Sequence, residues 1–157
     1  MTRIQIAARR IAVATLCAAA LLMGAPSGAR AQSSAALVAH DAWAREPAPS
    51  RDVTGLFVVL ENSGASPRSV VSASSDAADK VELHEMKMTN GMMSMSPVKQ
   101  IDVPAHGKTE LKPGGLHVML FGLKRRPAPG DTIAVTLTLD DGTTVRVTAT
   151  VRKAEMP

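Results

Sequence analysis

His84-Glu85-Met86 and His117-Val118-Met119 are two His-x-Met pairs in a chain whose methionines crowd into one short stretch. Of nine methionines, Met86, Met88, Met92, Met93 and Met95 fall within ten consecutive positions. A scattered methionine is an adaptable filler of apolar cores, and a lone histidine in a strand is ordinarily structural or solvent-facing. Density and pairing together ask for another account. Thioether sulfur is soft and uncharged and imidazole is borderline. The set His84, Met95, His117 and Met119 contains no carboxylate, so it favours Cu(I), or Ag(I) as a mimic, over Zn(II), Ca(II) or Mg(II). A blue-copper electron-transfer centre needs a cysteine thiolate. The only cysteine, Cys17, lies in an export-signal-like segment, so the rest of the chain is left without thiol chemistry, disulfide or zinc-thiolate site.

Short alternating strands must position these side chains. Asn90-Gly91 is the strongest short-range signal for a two-residue hairpin. It pairs Thr89 with Met92, Met88 with Met93, Lys87 with Ser94 and Met86 with Met95. His84, Met86, Met88, Met93 and Met95 then share one face, opposite Leu83, Glu85, Lys87 and Ser94. Met95 sits one diagonal step from His84, at about 7–8 Å between backbones, within reach of long side chains converging on one ion. At the second pair, alternation sends His117 and Met119 to one side and Leu116, Val118 and Leu120 to the core.

Strands are expected at Asp41–Arg45, Thr54–Glu61, Arg68–Ser72, Lys80–Met88, Met92–Met95, Val98–Val103, Thr109–Leu111, Leu116–Gly122, Thr132–Leu139 and Thr143–Val151. Asp140-Asp141-Gly142-Thr143 closes the last hairpin, and Pro113-Gly114-Gly115 turns the chain into the His117 strand. Frequent turns and the lack of helical periodicity imply an all-β, Ig-like Greek-key β-barrel or sandwich as a single domain.

Residues 1–31 read as a cleaved signal: Arg3, Arg9 and Arg10 precede an apolar run from Ile11 to Met23, and Ala29-Arg30-Ala31 gives the small-x-small cleavage pattern. The residues around Arg9-Arg10 lack the fuller twin-arginine pattern, so general secretion is expected, with no stable membrane insertion after cleavage. Residues 32–40 read as a flexible leader, 41–153 as the β domain and 154–157 as a short tail. The signal carries four of the eighteen Lys+Arg and none of the fourteen Asp+Glu. The remainder is therefore balanced at fourteen of each, and the basic excess of the whole chain gives no reason to expect a nucleic-acid partner.

The spacing from His84 through ten residues to Met95, twenty-one to His117 and one to Met119 resembles the signature of the periplasmic copper chaperone family often called PCu(A)C, and all four positions match. Ala42-Trp43-Ala44-Arg45, Val81-Glu82-Leu83-His84-Glu85-Met86 and the run from Leu111 to Leu120 are also similar to family patterns. The resemblance implies a cupredoxin-like fold without a blue-copper centre, carrying one Cu(I) per chain at an exposed site in the periplasm. It also implies delivery for cytochrome c oxidase copper-centre assembly, to a dithiol acceptor such as a Sco-like protein or oxidase subunit II. Some members carry a His/Met-rich C-terminal extension for a second copper; Ala154-Glu155-Met156-Pro157 lacks His, so one site is expected.

Met86 and Met88 stand on the ligand face outside the four-residue signature, as auxiliary or hand-off residues, and Met93 is weaker still. His40 and His106 read as solvent-facing loop residues, Trp43, Leu56 and Phe57 as core, and Lys124-Arg125-Arg126 as a solvated turn or an edge that steers an acidic partner. A periplasmic copper buffer or resistance protein and an Ig-like interaction module compete with the carrier reading. No Ser/His/Asp, paired-carboxylate or nucleotide-loop arrangement speaks for an enzyme.

Overall fold

Thr132–Leu139 and Thr144–Arg152 show most plainly why this sequence makes strands. Ile133, Val135, Leu137 and Leu139 on the first, and Val147, Ala149 and Val151 on the second, are buried, while threonines and arginines alternate with them on the outer side. The computed structural model describes residues 37–153, in which ten strands and no helix occur: β1 (Leu37–Arg45), β2 (Val53–Asn62), β3 (Arg68–Ser74), β4 (Ala78–Thr89), β5 (Met92–Pro97), β6 (Ile101–Val103), β7 (Gly107–Leu111), β8 (Leu116–Leu123), β9 (Thr132–Leu139) and β10 (Thr144–Arg152).

The chain is all-β, as expected, and its strands join one open sheet in the order β5-β4-β8-β2-β1-β10-β9-β3-β6, with β7 added beside β2. The inner faces of both ends surround one core, in which Leu56, Leu60, Val118 and Leu120 from one end meet Ile101, Val135, Leu137 and Leu139 from the other. Hinging these ends falls to β1, which pairs antiparallel with β2 and, through Trp43, Ala44 and Arg45, parallel with β10. Its register shifts between His40 and Trp43, where Asp41 takes φ 55°. Short polar side chains tolerate that left-handed conformation, and the bulge bends the strand toward its second partner.

Three expectations need correcting. The leader does not run to residue 40: Leu37 is buried and Leu37–His40 pairs with Val59–Asn62, so His40 is an exposed strand residue bonded to Asp41 and Glu61 rather than part of a loop. The strand expected over Val98–Val103 shortens to Ile101–Val103. Val98 still donates its N–H to Leu83, and the chain then crosses to pair with β3. Trp43 and Phe57 lie on the outer face, because alternation assigns the inner positions of β1 and β2 to Ala44, Leu56 and Val58; Phe57 is buried there as expected, whereas Trp43 is only half-buried. Residues 1–31, the leader up to residue 36 and the tail 154–157 lie outside the described residues.

Candidate metal centre

β4 and β8 lie side by side in antiparallel register, which sets His84 directly across from His117, Glu82 across from Met119 and Lys80 across from Phe121. β5 continues the sheet beyond β4 and places Met95 opposite Met86, as the turn residues implied. The turn has the expected local cause: Asn90 at φ 52° and Gly91 at φ 78° are both left-handed, as a type I′ hairpin requires. At the other end of the site, Gly114 at φ 80° follows Pro113, and Gly115 returns its N–H to the Lys112 carbonyl, so a type II turn launches β8.

The two imidazoles are buried, His84 at 7% and His117 at 4% exposure, with ring centroids 6.0 Å apart. Each has its tautomer set by an acceptor on one nitrogen. His117 Nδ1–H donates to the Gly115 carbonyl at 2.9 Å, which leaves Nε2 as a bare lone pair. That lone pair stands 3.3 Å from Met95 Sδ. His84 Nε2–H donates to the Glu82 carboxylate at 3.0 Å, and its Nδ1 is buried with no hydrogen-bond partner. A carboxylate or carbonyl behind an imidazole is the arrangement that orients a metal-binding histidine and raises its basicity.

Charge on the two rings follows from their surroundings. Burial holds the His117 imidazole below the ordinary histidine value, opposed by the Gly115 hydrogen bond and reinforced by His84 and Arg45. The neutral form, which has a lone pair to give, is thereby favoured near neutrality. Lys80, 2.7 Å away, and then His84 lower the Glu82 carboxyl, so it is present as an acceptor.

Around the histidines the outer face is aromatic. Phe57 lies 6.2 Å from His117 and 4.4 Å from Trp43, and Phe121 lies 5.9 Å from His84, centroid to centroid. Gly55 sits across from Met119, and a Cβ there would stand 3.3 Å from Phe57 Cζ and 3.9 Å from Met119 Sδ. The bare position lets the Phe57 ring cross it and leaves Met119 room to move. A cleft of about 410 Å³ opens here, lined among others by Arg45, Phe57, Met86, Gly114, His117 and Met119.

The structure thus brings His84, Met95 and His117 into one cluster and sets Met119 beside His117 on the same face. Met86 lies between Met95 and the cleft, whereas Met88 is 65% exposed and points off the hairpin. Lys124-Arg125-Arg126 is a tied turn, with Arg125 paired to Asp131 and Arg126 donating to the Pro47 carbonyl. Among the described residues no group of three or more His, Cys, Asp or Glu side chains could hold a metal ion. Glu82, Gly115, Gly55 and Phe57 were not singled out as site residues from the sequence. Glu82 had a signal, standing two positions before His84 on the same strand face. The other three depend on strands and turns brought in from elsewhere.

The model of the LpqE-like family, described as "Putative lipoprotein LpqE-like", matches residues 37–151. A Leifsonia xyli subsp. xyli (strain CTCB07) protein named "Putative lipoprotein Lxx21020" is 38% identical over 112 residues, 71% of this chain and 66% of its own length, just under two thirds. Apo-DR1885 from Deinococcus radiodurans superposes with a TM-score of 0.60 at 30% identity, covering 98% of this chain and 97% of that one. The copper-bound PCuAC domain from PmoF2 superposes at 0.64 with 20% identity, covering 76% and 94%, a likeness of fold. With the fold of PCuAC domains and a family match over nearly all its described residues, the chain belongs to the LpqE-like family.

Proposed function

We propose that this protein is an exported, periplasmic copper carrier that holds one Cu(I) on His84, Met95, His117 and Met119 and passes it to a dithiol acceptor in cytochrome c oxidase assembly, a Sco-like protein or oxidase subunit II. The observation that carries the reading is the 3.3 Å approach of His117 Nε2 to Met95 Sδ. With Nδ1–H committed to Gly115, neither facing atom has a proton to share, and a soft cation between them would satisfy both. The unpartnered Nδ1 of His84 is a second waiting donor.

The solved relative Cu(I)-DR1885, 34% identical over 80% of this chain, and the copper-bound PmoF2 domain support copper as the cargo. The name of the Leifsonia relative and the signal-like start support an envelope location. The protein transports its ion and catalyses no reaction. Neutral thioethers hold Cu(I) less strongly than thiolates, so transfer to a dithiol runs downhill.

Competition against a chromogenic Cu(I) chelator tests the site. One equivalent should bind, and His117→Ala or Met95→Leu should forfeit it; a tight stoichiometric zinc complex that displaced Cu(I) would overturn the assignment. Mixing the loaded protein with a reduced CxxxC acceptor tests the role, because copper that stayed wholly on this chain would identify a buffer instead of a carrier.

A further inference from the structure

Beyond Met86 the β4–β5 hairpin stands free of the rest of the sheet. β8 accompanies β4 only as far as Glu85, with one last bond from the Met86 N–H to the Gly115 carbonyl. The ribbon that follows is exposed on both faces. On one face Lys87 pairs with Glu85 at 2.7 Å and lies across from Ser94, an ordinary solvated surface. The other face carries Met88 directly opposite Met93, next to Met86 opposite Met95.

Burial does not explain these methionines. A buried apolar side chain of this size contributes about 1.5–3 kcal/mol, yet Met88 and Met93 are 65% and 51% exposed, and Met95 is 47% exposed. Strand propensity does not explain them either, since a solvated ribbon favours β-branched and aromatic residues. What the register does provide is a two-by-two array of thioethers. Directly opposed positions hold their Cβ atoms about 4.5–5.5 Å apart, close enough for two flexible side chains to present sulfur to one ion. Met95, in the inner row, is the residue whose sulfur already meets His117 Nε2.

We propose that Met88 and Met93 form a second, weaker site for a soft monovalent d10 cation, Cu(I) or Ag(I), at the solvent end of the hairpin, from which the ion moves along the sulfur array to Met95 and the buried histidines. The outer pair has no imidazole and binds less strongly than the inner set, so the affinity gradient runs inward and the ion is not trapped at the surface. The array gives the buried histidines a route to solvent made of ligands. The outer site stands whether or not the inner four-residue reading does; only the direction of travel rests on that reading.

Titration of the full chain, labelled at the methionine methyl groups, with Ag(I) separates the two ideas by NMR. The first equivalent should shift the Met95 and Met119 methyl signals, and the second should shift Met88 and Met93. A Met88→Leu/Met93→Leu variant should bind one equivalent with unchanged affinity and load more slowly from a weak Cu(I) chelator. In a His117→Ala/Met119→Ala variant the Met88 and Met93 signals should still move, and such movement supports the outer site even if the inner assignment fails. Met88 and Met93 signals that stay in place through both equivalents, while Met95 and Met119 respond, would overturn the outer site and leave the inner one standing.

Discussion

β9–β10 and β4–β5 are both antiparallel hairpins closed by a glycine in the left-handed region, yet their side chains are put to opposite uses. In β9–β10 every second residue is driven into the core by its apolar surface, and the outward threonines and arginines meet water. In β4–β5 the outward face is sulfur-rich and uncovered past Met86, and β4 contributes Ala78 and Leu83 to the core, with Val81 packed against it. An apolar residue in a strand is therefore poor evidence of burial until its partner strands are known. Both ends of the sheet give their inner faces to one core, while the candidate site is confined to the outer face of the β4–β8 end.

The sharpest test of that division is inside β8, where neighbouring residues face opposite ways. Val118→Asp would place a charge at a fully buried position and should cost about 4 kcal/mol or more, enough to unfold the protein in a denaturant titration. A stable Val118→Asp protein would mean that the strand's faces are inverted. Across the two hairpins, Leu137→Ala should destabilise by about 2–5 kcal/mol because it opens a cavity in the core. Met88→Ala, also in a strand, should change stability by less than about 0.5 kcal/mol. Equal losses in paired thermal melts would erase the distinction between the hairpins.

His117→Ala sits between these extremes. It removes the hydrogen bond to Gly115, whose carbonyl keeps the Met86 N–H, so the lost bond costs about 0.5–1.5 kcal/mol. Chelator competition should meanwhile show Cu(I) binding lost outright. Preserved affinity with a large drop in melting temperature would make His117 a structural residue.

The smallest expected effect is on acid tolerance. The Asp141 carboxyl is lowered to about 2 by hydrogen bonds from the Thr143 hydroxyl and N–H and by Arg68. Its contribution is full above the ordinary carboxylate range and is lost as pH falls through about 2, since below that the native carboxyl is protonated as the unfolded one already is. Asp141→Asn should lower stability slightly near neutrality and flatten its fall with acid in that window, the two proteins converging once pH drops below about 2. An unaltered acid limb would show that the β9–β10 turn is not where acid acts.

The local features were legible in the sequence because local physics produces them. Asn90-Gly91 dictates a hairpin and hence the pairing of Met86 with Met95, and Pro113-Gly114 dictates the turn that starts β8. Alternation separates His117 and Met119 from Val118 and Leu120. Only the tertiary structure decided that β4 would lie beside β8, with His84 across from His117. Those strands are joined by more than twenty residues that visit other parts of the sheet, and no local preference selects a pairing at that range. The same limit applies to Phe57 and Trp43. Their bulk and apolar character argued for the core, but the inner positions went to Ala44 and Leu56, so Phe57 is buried on the outer face beside His117 with Trp43 packed against it. Residue types and spacing determined which atoms could bind a soft ion; long-range pairing decided that they would meet, because side-chain direction is a property of one strand and proximity is a property of two.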